Sequence, residues 1–273
     1  MGWVPGFSGS DNDVFGNSLG YIGMLGAWFL FLSQVPTMRT IRAENDVKEY
    51  SEIPAVVSLA NCILWVMYSS VKGDVVQAFI CNVGGVILQT LYCLVFLKYS
   101  AGGPRARSIR RNCALTVVFI VFVVVFVMGV MQVIYIPDFL GMADEHHDKK
   151  EAAQIDVLGV LASTFNTGMY AAPLAVMGEV IRTKSVESMP LGLTLGSVAC
   201  SVVWTLYALY VNDVFIGIPN WLGLLLGAAQ VTLYCKYCSS DDYAKPQWWV
   251  DSANSGRRRS QKPQAEDQPY TLI

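Results

Sequence analysis

The sequence has 273 residues, 53% of them hydrophobic and only 15% charged, with a formal net charge of −2. That composition excludes a soluble two-domain protein of this length, and the near-neutral balance gives no basis for nucleic-acid binding. Seven uncharged runs stand between the charges, at 14–38, 53–71, 75–97, 112–137, 157–178, 188–212 and 214–235, each 19 to 26 residues long.

A helix rising about 1.5 Å per residue crosses a hydrocarbon core of roughly 30 Å in about 20 residues. The chain therefore reads as an all-α integral membrane protein with seven transmembrane helices. Basic residues in short loops stay on the cytoplasmic side. With the N-terminus outside, the inner segments hold 16 of the 19 basic residues, and the outer side keeps only Lys72, Lys149 and Lys150. The first 17 residues are then an extracellular or luminal N-terminus. They lack the basic n-region of a cleavable signal, and Gly6 stands where a myristoylation signal needs Ser or Thr, so the first helix is expected to direct insertion.

The first helix, near Leu19 to Pro36, ends in Ser33-Gln34-Val35-Pro36. The second opens with Ile53-Pro54 and closes with Trp65-Val-Met-Tyr68, and only Lys72-Gly73-Asp74 separates it from the third, so the two are antiparallel neighbours. Helix three carries Asn82 and then Gly84-Gly85, small residues that admit another helix closely. Residues 18–99 form a first three-helix unit. The fourth run, at 112–137, has almost no polar atom and reads as a lipid-facing connector. Asp144-Glu-His-His-Asp148 after it has the composition of a metal patch, but five adjacent residues cannot all converge on one ion. An acidic loop, with no metal and no cofactor, is the expectation.

Residues 155–237 repeat the plan of the first unit. Sliding them back by 139 places Met169 on Leu30, Pro173 on Gln34, Cys200 on Asn61, Trp204 on Trp65, Tyr207 on Tyr68 and Asp213 on Asp74, while Asn220 meets Asn82 at 138. Three helices, one connector and three helices make two parallel repeats related by an axis along the membrane normal. Seven cysteines in or at the ends of the apolar runs argue against a disulfide framework, and Cys235-x-x-Cys238 has redox spacing without the strand context a redox motif needs.

Counting inward from the charged ends, Asn82, Asn220, Trp65 and Trp204 lie about 10 to 14 Å deep, deeper than an interfacial aromatic belt. Two indoles and two carboxamides at one level suit a ligand with apolar faces and a hydroxyl edge, such as a sugar ring. The alternative is that the asparagines tie helices together, worth roughly 0.6 to 2 kcal/mol each, and residue type alone leaves the two open. No Asp, Glu, Lys, Arg or His falls inside a run, which disfavours a proton relay or cation site. Nothing resembles a nucleophile with its base or a phosphate loop, so an enzyme has no support. Pro36, Pro54, Pro173, Pro190 and Pro219 lie near the ends of or within spans and are candidate bending points.

Met169-Tyr-Ala-Ala-Pro173, Thr183-Lys-Ser-Val-Glu-Ser-Met-Pro190, Trp204-Thr-Leu-Tyr207 and Asp213-x-Phe215-x-x-x-Pro219-Asn220 make the chain resemble the SWEET sugar transporters over about residues 20 to 237. The stretch from Lys72-Gly73-Asp74 to Lys98-Tyr99 looks closest to the animal branch. The resemblance implies facilitative uniporters of mono- or disaccharides working by alternating access. It implies substrate contacts at Asn82, Asn220, Trp65 and Trp204, a gate pair at Tyr68 and Asp213, and pocket positions linked to sugar size at Leu30, Asn61, Met169 and Cys200. Leucine, asparagine and methionine there look like monosaccharide-type members. The family's four hinge prolines map to Pro54, Pro173, Pro190 and, in helix one, to Gln34, with Pro36 two residues later.

Residues 238–273 are polar and read as a disordered cytoplasmic tail. Arg257-Arg-Arg-Ser260 fits a phosphorylation or lipid patch, and Tyr270-Thr271-Leu-Ile273 fits a sorting adaptor or a PDZ-type partner. The expected function is passage of a glucose-like monosaccharide across the plasma membrane or a Golgi membrane, by a chain that could also be a homo-oligomer. The alternatives are a PQ-loop amino-acid carrier, expected to show an intramembrane acid, and a seven-helix receptor, which has no reason to repeat its first three helices.

Overall fold

The structure, a computed structural model, describes residues 14–100, 102–134 and 147–238, the side chains of 128–134 and 147–151 excepted. Residues 1–13, Asp144 to His146, Arg257 to Ser260 and the tail positions Tyr270, Thr271 and Ile273 lie outside the described residues.

Nine helices are described: α1 (Val14–Leu32), α2 (Val35–Glu44), α3 (Ile53–Lys72), α4 (Val76–Tyr99), α5 (Pro104–Ile134), α6 (His147–Gly168), α7 (Ala171–Thr183), α8 (Leu191–Tyr210) and α9 (Val214–Tyr237). They form seven spans, because α1 with α2 and α6 with α7 are single crossings broken in the middle. The candidate bending points Pro36 and Pro173 stand just after the two breaks. Length and hydropathy mark six of the crossings as apolar enough to span a membrane, α1 and α2 counted together. The seventh, α6 with α7, starts inside the charged stretch around His147 to Asp156, which dilutes its apolar character.

Both breaks are tightened turns in which an amide bonds three residues back. Gln34 N donates to Phe31 O at 3.4 Å, and Tyr170 N donates to Thr167 O at 3.1 Å. The second pieces end alike, on left-handed residues 139 apart, Asn45 (φ 56°) and Lys184 (φ 59°). The loops that follow repeat too, since Tyr50 N donates to Val47 O and Met189 N to Val186 O.

Within each half the third helix packs between the other two: α4 touches α1, α2 and α3, and α9 touches α6, α7 and α8. The halves meet through α1 on α8 and α3 on α6. The seam at α1 is a stripe of small residues. A Cβ at Gly20 would lie 2.7 Å from Gln77 and 2.9 Å from Tyr207, and one at Gly23 would lie 3.0 Å from Trp204, so only glycine allows this approach. The connector α5 turns Val117, Val118, Val121, Phe122 and Val125 outward and buries Val123 and Val127. A valine and phenylalanine surface of that size suits lipid.

The ends of the bundle differ chemically. One, here the Asp213 side, holds the start of α1, the α3–α4 turn at Lys72 and the α8–α9 turn at Asp213. The opposite, basic side holds Arg39, Arg42, Arg105 and Arg182. On the basic side Glu52, 1% exposed, accepts from Asn112 Nδ2 at 2.7 Å and pairs with Arg105 at 3.2 Å, which fastens the connector to the first half.

Candidate functional site

Between the two halves lies a cavity of about 360 Å³. Its walls contain all eight positions expected to face substrate: Asn82, Asn220, Trp65, Trp204, Leu30, Asn61, Met169 and Cys200. Each comes from the same element in both halves: Leu30 from α1 and Met169 from the α6–α7 break, Asn61 and Trp65 from α3, Cys200 and Trp204 from α8, Asn82 from α4 and Asn220 from α9.

The hydrogen bonds of the two asparagines run within their own helices. Asn82 Nδ2 donates to Ala78 O and Asn220 Nδ2 to Ile216 O, both at 2.8 Å and both to the carbonyl four residues earlier in the same helix. Neither carboxamide bonds another helix among the described residues. Each is held in one rotamer by its own helix, and its oxygen is left as an acceptor at the cavity wall.

The tryptophans are related by the repeat but are not equivalent. Trp65 and Tyr68 meet edge to face with centroids 5.5 Å apart, and Trp204 and Tyr207 do so at 5.4 Å. Trp204 Nε1 donates to Gly23 O at 3.1 Å and so joins α8 to α1. Trp65 has no such bond among the described residues, which leaves its indole N–H available to a ligand. Asn61 Oδ1 is a buried acceptor without a partner, a group that gains from any donor entering the cavity.

Several wall residues escaped the sequence reading. Asn166, Ser197, Ser201 and Tyr170 line the cavity, and their repeat mates Ala27, Ser58, Cys62 and Phe31 are all less polar or equal. Pro219 explains one contact between α6 and α9. It has no N–H, so Phe215 O loses its helical partner, and Ser163 Oγ supplies one at 2.6 Å. Tyr170 OH donates to Pro219 O at 2.5 Å. The proline would have pointed to a needed donor, but which hydroxyl serves depends on α6 lying against α9.

The Asp213 side is closed. Tyr68, fully buried, donates to Asp213 Oδ2 at 2.6 Å across the halves. Asp213 Oδ1 accepts from Phe215 N at 2.9 Å and Ile216 N at 3.0 Å and so caps α9. Lys72 Nζ lies 3.5 Å from Asp213 Oδ2. The mirror contact uses another acceptor: Tyr207 OH donates to Gln77 Oε1 at 3.1 Å, and Gln77 Nε2 donates to Asn17 Oδ1 at 2.6 Å. Asp74, the repeat mate of Asp213, is 63% exposed and, among the described residues, pairs only with Lys72, at 3.8 Å.

The prolines fall into two groups. Pro54 is the second residue of α3 and Pro190 immediately precedes α8; at a helix start a missing N–H removes no helical bond. Pro36 and Pro173 are the second and third residues after the two breaks. Gln34 immediately precedes α2, and its Nε2 reaches Gln89 Oε1 at 3.5 Å. Gln34→Pro would leave buried Gln89 without that donor, at a cost of about 1 to 3 kcal/mol, and so lower the thermal midpoint in detergent by roughly 2 to 10 °C. Gln34→Pro with Gln89→Leu should recover most of that loss. An unchanged midpoint in the single variant would mean the pair carries no stability.

The model of a family described as sugar efflux transporters for intercellular exchange, MtN3/slv, matches residues 17–102 and again 156–242. The chain belongs to the MtN3/SWEET family. The two matched segments are the two three-helix halves, and α5 falls between them, as a connector should. Among SWEET relatives, bidirectional sugar transporter SWEET4 of Oryza sativa subsp. indica is 37% identical over 230 residues, covering 84% of this chain and 82% of the relative. Bidirectional sugar transporter SWEET7 of Arabidopsis thaliana is 34% identical over 224 residues, covering 81% of this chain and 80% of the relative. A eukaryotic SWEET transporter solved at 3.7 Å resolution superimposes with a TM-score of 0.70 at 30% identity, over 84% of this chain and 99% of that one. The 3+1+3 arrangement is thus the SWEET fold, in a multi-pass membrane protein.

Proposed function

We propose that the chain is a facilitative, uncoupled sugar uniporter that works by alternating access and takes glucose-like monosaccharides. The observation that carries this reading is the pair of asparagines held by their own helices, each offering an acceptor to a cavity that also presents two indoles. Hydroxyl donors on a sugar ring match these acceptors, and tryptophan faces match its C–H faces. A volume near 360 Å³ stands at the small end of ligand pockets, about 300 to 1,000 Å³, which favours one ring over two.

Among the described residues the walls contain no Asp, Glu, Lys, Arg or His, which supports the uncoupled reading. The bond at Tyr68 and Asp213 supports an arrangement closed on the Asp213 side, the two residues forming the gate. The breaks beside Pro36 and Pro173 support hinges inside the first and fifth spans. The excess of basic residues on the opposite side supports a cytoplasmic C-terminus and an extracellular or luminal N-terminus, in the plasma membrane or a Golgi membrane.

Labelled glucose and sucrose uptake into proteoliposomes tests the reading. Glucose flux down its gradient is expected, exceeding that of sucrose and unchanged by an imposed pH gradient. No flux of any sugar would defeat the proposal, and flux that follows the pH gradient would defeat the uncoupled mechanism.

A further inference from the structure

The two halves are built on one plan but are not equally filled on the basic side. In the first half, the space between the helix break and the third helix is occupied. Gln89 is fully buried there beside Gln34, and Tyr92, 5% exposed, donates its hydroxyl to Phe31 O at the break, at 3.1 Å. At the repeat offsets of 138 and 139, the second half has Gly227 for Gln89, Gln230 for Tyr92 and Pro173 for Gln34. Each replacement is smaller. The space they leave is a second cavity of about 270 Å³ whose walls include all three of them.

This second cavity adjoins the first. Tyr170, Pro173, Ser197 and Ser201 line both. From there it runs away from the closed Asp213 side to Met189 and Pro190, at the basic end of α8. Its walls also carry Ser188, Thr194 and Gln230, and the carboxamide of Gln230 makes no hydrogen bond to the described residues. Hydroxyl and amide groups stand among prolines and aliphatic side chains in its walls.

We propose that this cleft within the second half, between α7, α8 and α9, is a transit subsite for the sugar, giving the permeation path a one-sided exit. The proposal rests on the sugar-transport reading. In the first half Gln89 and Tyr92 fill the matching positions, so the path is assigned to the second half.

The test fills the cleft from the wall least involved in the central site. Gln230→Tyr, which installs the residue the first half already carries, is expected to lower glucose flux about tenfold, since the ring occupies space the sugar must pass through. Gln230→Asn, which keeps a carboxamide and adds no bulk, should lose far less flux than Gln230→Tyr. Glucose binding by Gln230→Tyr, followed by tryptophan fluorescence, should remain at the parent level. As a second measurement, a thiol at Thr194→Cys should react with a water-soluble alkylating reagent, and saturating glucose should slow that reaction.

Parent-level flux in Gln230→Tyr, or labelling of Thr194→Cys that glucose does not slow, would overturn the subsite. Protection by a short-chain lipid and not by glucose would assign the cleft to lipid and overturn it as well. A parent protein that moves no sugar defeats the transport reading itself. A parent that transports, an Asn220→Ala that does not and a Gln230→Tyr that does would defeat the subsite alone.

Discussion

Asn220→Ala is expected to reduce glucose flux at sub-saturating sugar by about tenfold to a hundredfold, the equivalent of one or two lost hydrogen bonds at roughly 1 to 3 kcal/mol, with no fall in thermal stability. The second half of that expectation comes from geometry. The Asn220 amide bonds Ile216 O within its own helix, so its removal unties nothing between helices, and alanine is the better helix former by a few tenths of a kcal/mol. Asn82→Ala should behave the same way, because Ala78 O stands in the same relation to it. The measurement is uptake into proteoliposomes beside a melting curve of the purified variant. Unchanged flux would remove both asparagines from the site. A lowered midpoint with proportionately lowered flux would return them to the role of helix ties.

The same comparison made on the tryptophans would be harder to interpret. Trp204 joins α8 to the backbone of α1 at Gly23, so shortening it opens the seam between the halves as well as the cavity. Trp65 lacks that bond and is the cleaner probe of the pair. Two residues related by an internal repeat thus differ in what their loss would report, and the difference arises in their surroundings.

The repeat was legible because identical residues recur at a fixed offset, and the eight positions expected to face substrate, from the repeat and the resemblance together, line one cavity. What the offset concealed was asymmetry. Tyr68 and Tyr207 align, yet one donates to Asp213 and the other to Gln77, because Asp74 stays exposed beside Lys72 while Asp213 turns inward to cap α9. Gln34 reads as a missing proline, but its side chain has a buried partner in Gln89 that only the packing of α2 on α4 reveals. The helix breaks were invisible to hydropathy, which averages over a span and registers no missing amide bond. Tyr170 and Ser201 were missed for a related reason. Their hydroxyls approach Gly223 so closely that a Cβ there would lie 2.5 Å and 2.7 Å away, a three-helix contact that no one-dimensional spacing encodes.

Tyr68→Phe isolates the proposed gate. Asp213 has three duties, since it caps α9, accepts from Tyr68 and faces Lys72, so its own replacement would mix a lost cap with a lost gate. Removing only the Tyr68 hydroxyl keeps the cap and leaves the ring in its place between Trp65 and Phe215. A buried hydrogen bond to a charged group is worth about 1.5 to 3 kcal/mol, and a shift of that size in a two-state equilibrium changes the populations by roughly 10- to 150-fold. The closed arrangement of the Asp213 side should lose that much. Cys81 and Cys200 line the cavity behind the gate and serve as native reporters. Applied from the Asp213 side, a membrane-impermeant thiol reagent is expected to modify them about tenfold or more faster in Tyr68→Phe than in the parent, and glucose should slow the reaction. Because a carrier must visit both closed arrangements in each cycle, net flux should fall even as access from this side rises. Equal modification rates in parent and variant would mean that the contact from Tyr68 to Asp213 holds nothing shut, and the gate would have to lie with Tyr207 and Gln77 instead.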